Sequence, residues 1–166
     1  FGKSIAAPDA GSNYNVFLGE GAVGNNALND AQENVIIGYR AGYSFTTTDK
    51  NVLVGMQAGQ LITTGNQNTY VGWDSGRYQT LGSSNTALGA FSLYDATTGS
   101  ANVAIGTAAL YETTTGSNNT AMDRDALRNS TTASNNTAVG KDSLRANTTG
   151  TPNTAVGKSA LAANTT

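Results

Sequence analysis

With no histidine and no cysteine among its 166 residues, the chain lacks the side chains from which Ser-His-Asp triads, Cys-His pairs and the common zinc sites are assembled. Carboxylates are what remains for catalysis. Glycoside cleavage needs only two of them, about 5 to 10 Å apart, and Asp123 with Asp125, or Asp125 with Asp142, are the pairs to consider. Asp142 follows Asp125 by 17 residues, and Arg145 follows Arg128 by the same step. That spacing reads as an exposed ladder of ion pairs, not as an acid facing a base. Calcium has no better support, since the column lacks the Gly-Gly-x-Gly-x-Asp spacing of calcium-binding β-rolls. We assign no catalytic residue, no metal ligand and no cofactor, and expect no enzyme.

Three other patterns could bind something. Asn118, Asn129, Asn135, Asn147 and Asn164 each head an Asn-x-Ser/Thr glycosylation triplet, though such triplets arise almost automatically in a repeat rich in Asn and Thr. Thr46, Thr63, Thr80, Thr97, Thr114, Thr131, Thr148 and Thr165 form a column, and a flat threonine array on a β-solenoid can order water and bind ice. β-Propensity and turn capping explain the same residues without a ligand. Tyr39, Tyr43, Trp73, Tyr78, Tyr94 and Tyr111 could contact sugars, but they keep no single column, which favours packing or chance.

What must position all of these is a tandem repeat. Asn34, Asn51, Asn68, Asn85, Asn102, Asn119, Asn136 and Asn153 fall 17 residues apart, and Asn15 precedes Asn34 by 19. The Asn residues form a ladder that can hydrogen-bond from coil to coil. Counting each Asn as the first place of a coil, the fifth is Gly19, Gly38, Gly55, Gly72, Gly89, Gly106, Gly140 and Gly157, with Asp123 the one substitute. Gly supplies positive φ and Asp tolerates it next best, so this place is a tight corner. The fourth place is aliphatic throughout, from Leu18, Ile37 and Val54 to Val139 and Val156 with Met122 the softest member, and its regularity marks it as core. Thr-Thr, usually followed by Gly, supplies a second β-prone piece and a second corner. The punctuation leaves about eight residues for a helix such as one over Ala108–Tyr111, too few in water.

Places three and nine exchange volume. Ile36 with Gly42, Leu53 with Gly59 and Tyr70 with Gly76 give way to Ala87 with Leu93, Ala104 with Leu110, Ala121 with Leu127, Ala138 with Leu144 and Ala155 with Leu161. Close packing requires such compensation, so the two columns meet, either across one coil or between chains. The units are a partial coil 1–14, a first full coil 15–33 with a two-residue insertion, seven 17-residue coils over 34–152, and a partial coil 153–166. Phe1-Gly2-Lys3-Ser4 aligns with Val156-Gly157-Lys158-Ser159, so the sequence begins and ends inside a repeat and reads as an excerpt whose functional tips lie elsewhere.

Composition bounds the partners. Only 12% of residues are charged and 7% aromatic, which leaves little large apolar surface for one central core. A net charge of -2 with scattered Lys and Arg offers no basic field for nucleic acid or an anionic membrane. A thin coil stack must set burial at roughly 25 cal/mol per Å² against backbone entropy of ~1 to 2 kcal/mol per residue. Joining three stacks along the Ala or Gly columns would bury a second face.

Units such as Asn34-Val35-Ile36-Ile37-Gly38-Tyr39-Arg40-Ala41-Gly42 and Asn136-Thr137-Ala138-Val139-Gly140-Lys141-Asp142-Ser143-Leu144 resemble the Asn-Thr-x-x-Gly-x-x-Ala-Gly/Leu repeats of phage tail-fibre and adhesin-like proteins that precede an endosialidase-type chaperone domain. More distantly they are similar to the head repeats of trimeric autotransporter adhesins, although the period here is longer and no chaperone domain is present. The expected architecture is an all-β parallel β-solenoid, or β-roll, of 17-residue coils, assembled as a homotrimer. The resemblance implies an extracellular, cell-surface or virion fibre or adhesin stalk. Its flanking domains would meet a cell-surface glycan or receptor, with no nucleic-acid or membrane partner. The alternative is a binding module whose Thr column or aromatic face touches ice or glycan.

Overall fold

The computed structural model describes residues 14–24 and 31–166, so residues 1–13 of the partial coil and 25–30 of the first full coil lie outside the described residues. Among the described residues, nine strands of three residues each run from β1 (Val16–Leu18) through β2 (Val35–Ile37), β3 (Val52–Val54), β4 (Thr69–Val71), β5 (Thr86–Leu88), β6 (Val103–Ile105), β7 (Thr120–Met122) and β8 (Thr137–Val139) to β9 (Thr154–Val156). They form one sheet in chain order. Every pair is parallel with a 17-residue offset, as in Ile36 opposite Leu53 and Leu53 opposite Tyr70, except that Val16 stands opposite Val35 across the longer first coil. The chain is a parallel β-solenoid of 17-residue coils.

Each strand ends at a corner that only a special backbone can turn. Gly19, Gly38, Gly55, Gly72, Gly89, Gly106, Gly140 and Gly157 hold φ between 119° and 140°, and Asp123 holds 98°. The corners also stack closely. A Cβ on Gly89 would lie 2.8 Å from the carbonyl carbon of Gly106, and one on Gly106 would lie 2.6 Å from that of Asp123. Two constraints, torsion and crowding, thus converge on glycine there.

The Thr-Thr segment is not a second strand. Successive strand residues turn to opposite sides, whereas the amides of Thr97 and Thr98 both donate to Thr114 O, and those of Thr114 and Thr115 both to Thr131 O. Turns stitched to the next coil therefore complete each repeat. Other stitches include Gln57 N–H to Tyr39 O at 2.8 Å and Gly59 N–H to Ser75 O at 2.9 Å.

Strand alternation decides which side chains are inside. The third place is buried in every strand, from Phe17 and Ile36 to Ala138 and Ala155. The second and fourth places point out, so the aliphatic fourth column is not core: Leu18, Val71, Leu88, Met122 and Val156 are all exposed. With three apolar residues in a row, as in Val52-Leu53-Val54, hydropathy alone could not say which of them faces inward.

The exchanging columns meet inside a single coil. A Cβ on Gly42 would lie 3.0 Å from Ile36 Cδ1, and one on Gly59 would lie 2.9 Å from Leu53 Cδ2. Leu93, Leu110, Leu127 and Leu144 fill the same place with no exposure. They share its left-handed backbone, with φ of 47° to 53° against 56° to 59° for the three glycines. Holding leucine there costs on the order of 1 to 3 kcal/mol, which burial of its side chain at about 1.5 to 3 kcal/mol offsets. Ala87, Ala104, Ala121 and Ala138 are likewise sealed within one chain. The Ala and Gly columns are therefore not a seam between chains.

Candidate functional surfaces

The Asn ladder is interior. Asn34, Asn51, Asn68, Asn85, Asn102 and Asn119 have no exposure. Each of these residues bonds along the axis in both directions. The backbone N–H of Asn102 donates to Asn85 Oδ1 at 2.9 Å, and Asn102 Oδ1 accepts from Asn119 N–H at 3.0 Å. The Asn102 Nδ2 donates to Gly116 O, 14 residues on, at 2.9 Å. The same geometry recurs from Asn34 to Asn136. An amide carries its acceptor and its two donors on separate atoms, so one short side chain can serve both the next coil's N–H and the Gly116 carbonyl.

A second ladder escaped the sequence reading. The hydroxyl oxygens of Ser83, Ser100, Ser117 and Ser134 each accept the N–H of the preceding coil at 3.0 to 3.1 Å, and Asn66 Oδ1 serves Asp49 the same way. The signal was the small polar residue at place sixteen. The Thr column is engaged too: the hydroxyls of Thr46, Thr63, Thr80, Thr97, Thr114, Thr131 and Thr148 each donate to the next threonine's carbonyl at 2.7 to 3.2 Å. Their donors are directed along the solenoid, which weakens the ice reading.

The acidic candidates are paired or structural. Asp125 contacts Arg124 and Arg128, each at 3.3 Å, and Asp142 contacts Arg145 and Lys141, each at 3.8 Å. Such surface pairs are worth about 0 to 1 kcal/mol. Asp123 turns the corner and accepts the Arg124 N–H at 2.7 Å. Among the described residues no group of three or more His, Cys, Asp or Glu is placed to hold a metal ion. Of the glycosylation triplets, Asn118 and Asn135 head exposed turns, while Asn147 is buried and donates to Gly150 O at 3.0 Å.

The aromatic residues, which keep no single column, pack against one another or against arginines. Places six, seven, ten and eleven lie side by side on the outer turn. Trp73 meets Phe91 at 4.8 Å, Phe91 meets Tyr94 at 5.8 Å, Tyr78 meets Tyr94 edge-on at 5.0 Å, and Tyr94 stacks on Tyr111 at 4.9 Å. Arginines cover the rings: Arg40 over Tyr39 and Tyr43, Arg77 over Tyr78, Arg128 over Tyr111. Arg77 is the hub, bonded to Gln60 Oε1 at 3.0 Å and to Tyr94 Oη at 3.4 Å, and paired with buried Asp74 at 3.5 Å.

Packing sets the acidities of this band. Burial raises the Asp74 carboxyl against the pull of Arg77, and burial followed by the Glu112 charge raises Asp95. Burial, then Tyr78, pushes the Tyr94 phenol up to about 12. Trp73 remains half exposed and Tyr39 and Tyr43 nearly so. These are the places where the repeat stops repeating, a signal that a search for single columns passes over.

No family model matches the chain, and no curated protein or solved structure matches it. No helix among the described residues is long and apolar enough to cross a membrane.

Proposed function

We propose that this chain is a structural segment of an extracellular or virion fibre or adhesin stalk, a homotrimer that holds a receptor-binding tip away from its base. The observation that carries the reading is the interior Asn ladder. Each coil bonds to the next in the same way, so length is added without a new core and without a terminal requirement inside the stack. The stalk's partners at a cell-surface glycan or receptor would be met by neighbouring domains. Excision of one coil, residues 102–118, tests this. It should leave the fold intact, shorten the rod by about 4.8 Å in small-angle scattering and leave tip binding unchanged. Loss of folding or of tip binding would count against a passive spacer.

The aromatic band favours a second reading, a binding face for glycan. Exposed rings beside Arg, Gln and Asp match what sugars require, apolar stacking with polar groups at the rim. Chemical-shift titration with neutral and acidic oligosaccharides, compared between the parent and Trp73→Ala, would detect it. Silence at Trp73, Tyr39 and Tyr43 would remove the reading.

A further inference from the structure

Every strand hides its middle residue and presents its two outer ones to solvent. Over nine strands that makes eighteen side chains, all Val, Thr, Leu, Ile or Met and none charged. We propose that this outer sheet face is the seam along which copies of the chain assemble, side by side, parallel and in register. This rests on the self-association reading above and names its contact surface.

Four observations select a second copy as the occupant. Parallel sheets are ordinarily covered on both faces, and their strands then read as continuous apolar runs, as Val35-Ile36-Ile37 and Val52-Leu53-Val54 do. The face is uncharged over eight strand steps, roughly 38 Å at about 4.8 Å each, and a partner must offer an equally long uncharged surface with that period. The chain itself has one. Eighteen residues approach the roughly 20 to 30 per side of a standard interface. The absence of flanking basic side chains on the strands argues against an anionic membrane as the occupant.

Composition along the face sets the direction. The second place is Val16, Val35 and Val52 at one end and Thr120, Thr137 and Thr154 at the other. Parallel copies in register lay the valine end on the valine end. Antiparallel copies would oppose it to threonine hydroxyls and lose apolar contact. The outer turn carrying Trp73 and Arg77 has no such uniformity and stays free.

Sedimentation equilibrium of the whole chain at micromolar concentration gives the first test. The parent should sediment as an oligomer, and Val71→Asp with Ile105→Asp should shift it to the monomer mass while circular dichroism stays that of the parent. Thr98→Asp with Thr115→Asp, exposed on another column, should leave the oligomer intact. A parent that is monomeric overturns both self-association and this seam. An oligomer that survives the strand charges overturns the seam alone. Should the charged variant unfold, single cysteines decide, since the chain has none of its own. Ile105→Cys should be captured between chains by a short bis-maleimide in preference to Thr115→Cys, and equal or reversed capture refutes the proposal.

Discussion

Gly76 lies against the ring of Tyr70, so closely that a Cβ on the glycine would meet Cδ2 and Cε2 at 2.5 Å. One coil later the same two places hold Ala87 and Leu93, both fully buried. The interior keeps its volume while moving it from strand to turn.

That exchange is testable as a pair. Gly76→Leu alone should destabilise by about 1 to 3 kcal/mol through overpacking, and Tyr70→Ala alone by about 3 to 5 kcal/mol through the cavity. The double variant recreates the later coil type and should recover a clear part of the summed loss. Urea denaturation of all four proteins gives the coupling energy, and simple additivity would show that the two places do not share a site.

Asn102→Ala should cost at least ~2 kcal/mol, because it strips partners from the buried Asn119 amide and the Gly116 carbonyl together. Asn102→Asp keeps the acceptor but turns a charge toward that carbonyl, and should be worse than Asn102→Ala at neutral pH. Thermal melts provide the comparison, and an Asp variant as stable as the parent would contradict the assigned bonds.

At the corner, Asp123→Gly should raise stability by about 1 kcal/mol by removing a side chain from a torsion the other corners give to glycine, less the Asp123 to Arg124 bond it forfeits. Gly89→Ala should do the reverse and by more, since its Cβ also meets the next coil's backbone. Equilibrium unfolding in guanidinium would reveal either sign.

The acidity of Asp74 and Asp95 predicts a pH trend. Both carboxyls are raised in the folded state, so the folded chain holds more protons than the unfolded one just above the ordinary carboxylate range. Their contribution is therefore most favourable at low pH and declines as pH rises from the unfolded value through the folded one. Asp95→Asn should flatten that decline and raise the melting temperature at neutral pH. A stability that climbs over the same window in the parent, and is unaltered by the substitution, would contradict the assignment.

The period, the glycine corner and the pairing of places three and nine were legible because each imposes a residue type: positive φ demands Gly, and fixed volume demands compensation. The orientation of Val52-Leu53-Val54 was not, since a three-residue strand with three apolar members carries no alternation. Nor were the left-handed turns at Arg40, Gln57, Phe91 and Ala108, whose residue types are ordinary and whose backbone is imposed by stitches to adjacent coils. The aromatic band stayed hidden for a related reason. Trp73 and Phe91 are neighbours only once the turn brings places six and seven of successive coils together.

Because the strands pair from coil to coil, their hydrogen bonds run along the rod, and the Asn102 bonds to Asn85 and Asn119 run with them. Tension on the two ends loads these bonds in series and not in shear. The interior ladder makes successive steps nearly equal in strength, so a stretched chain peels from a loaded end one coil at a time, each release adding 17 residues of slack at a nearly constant force.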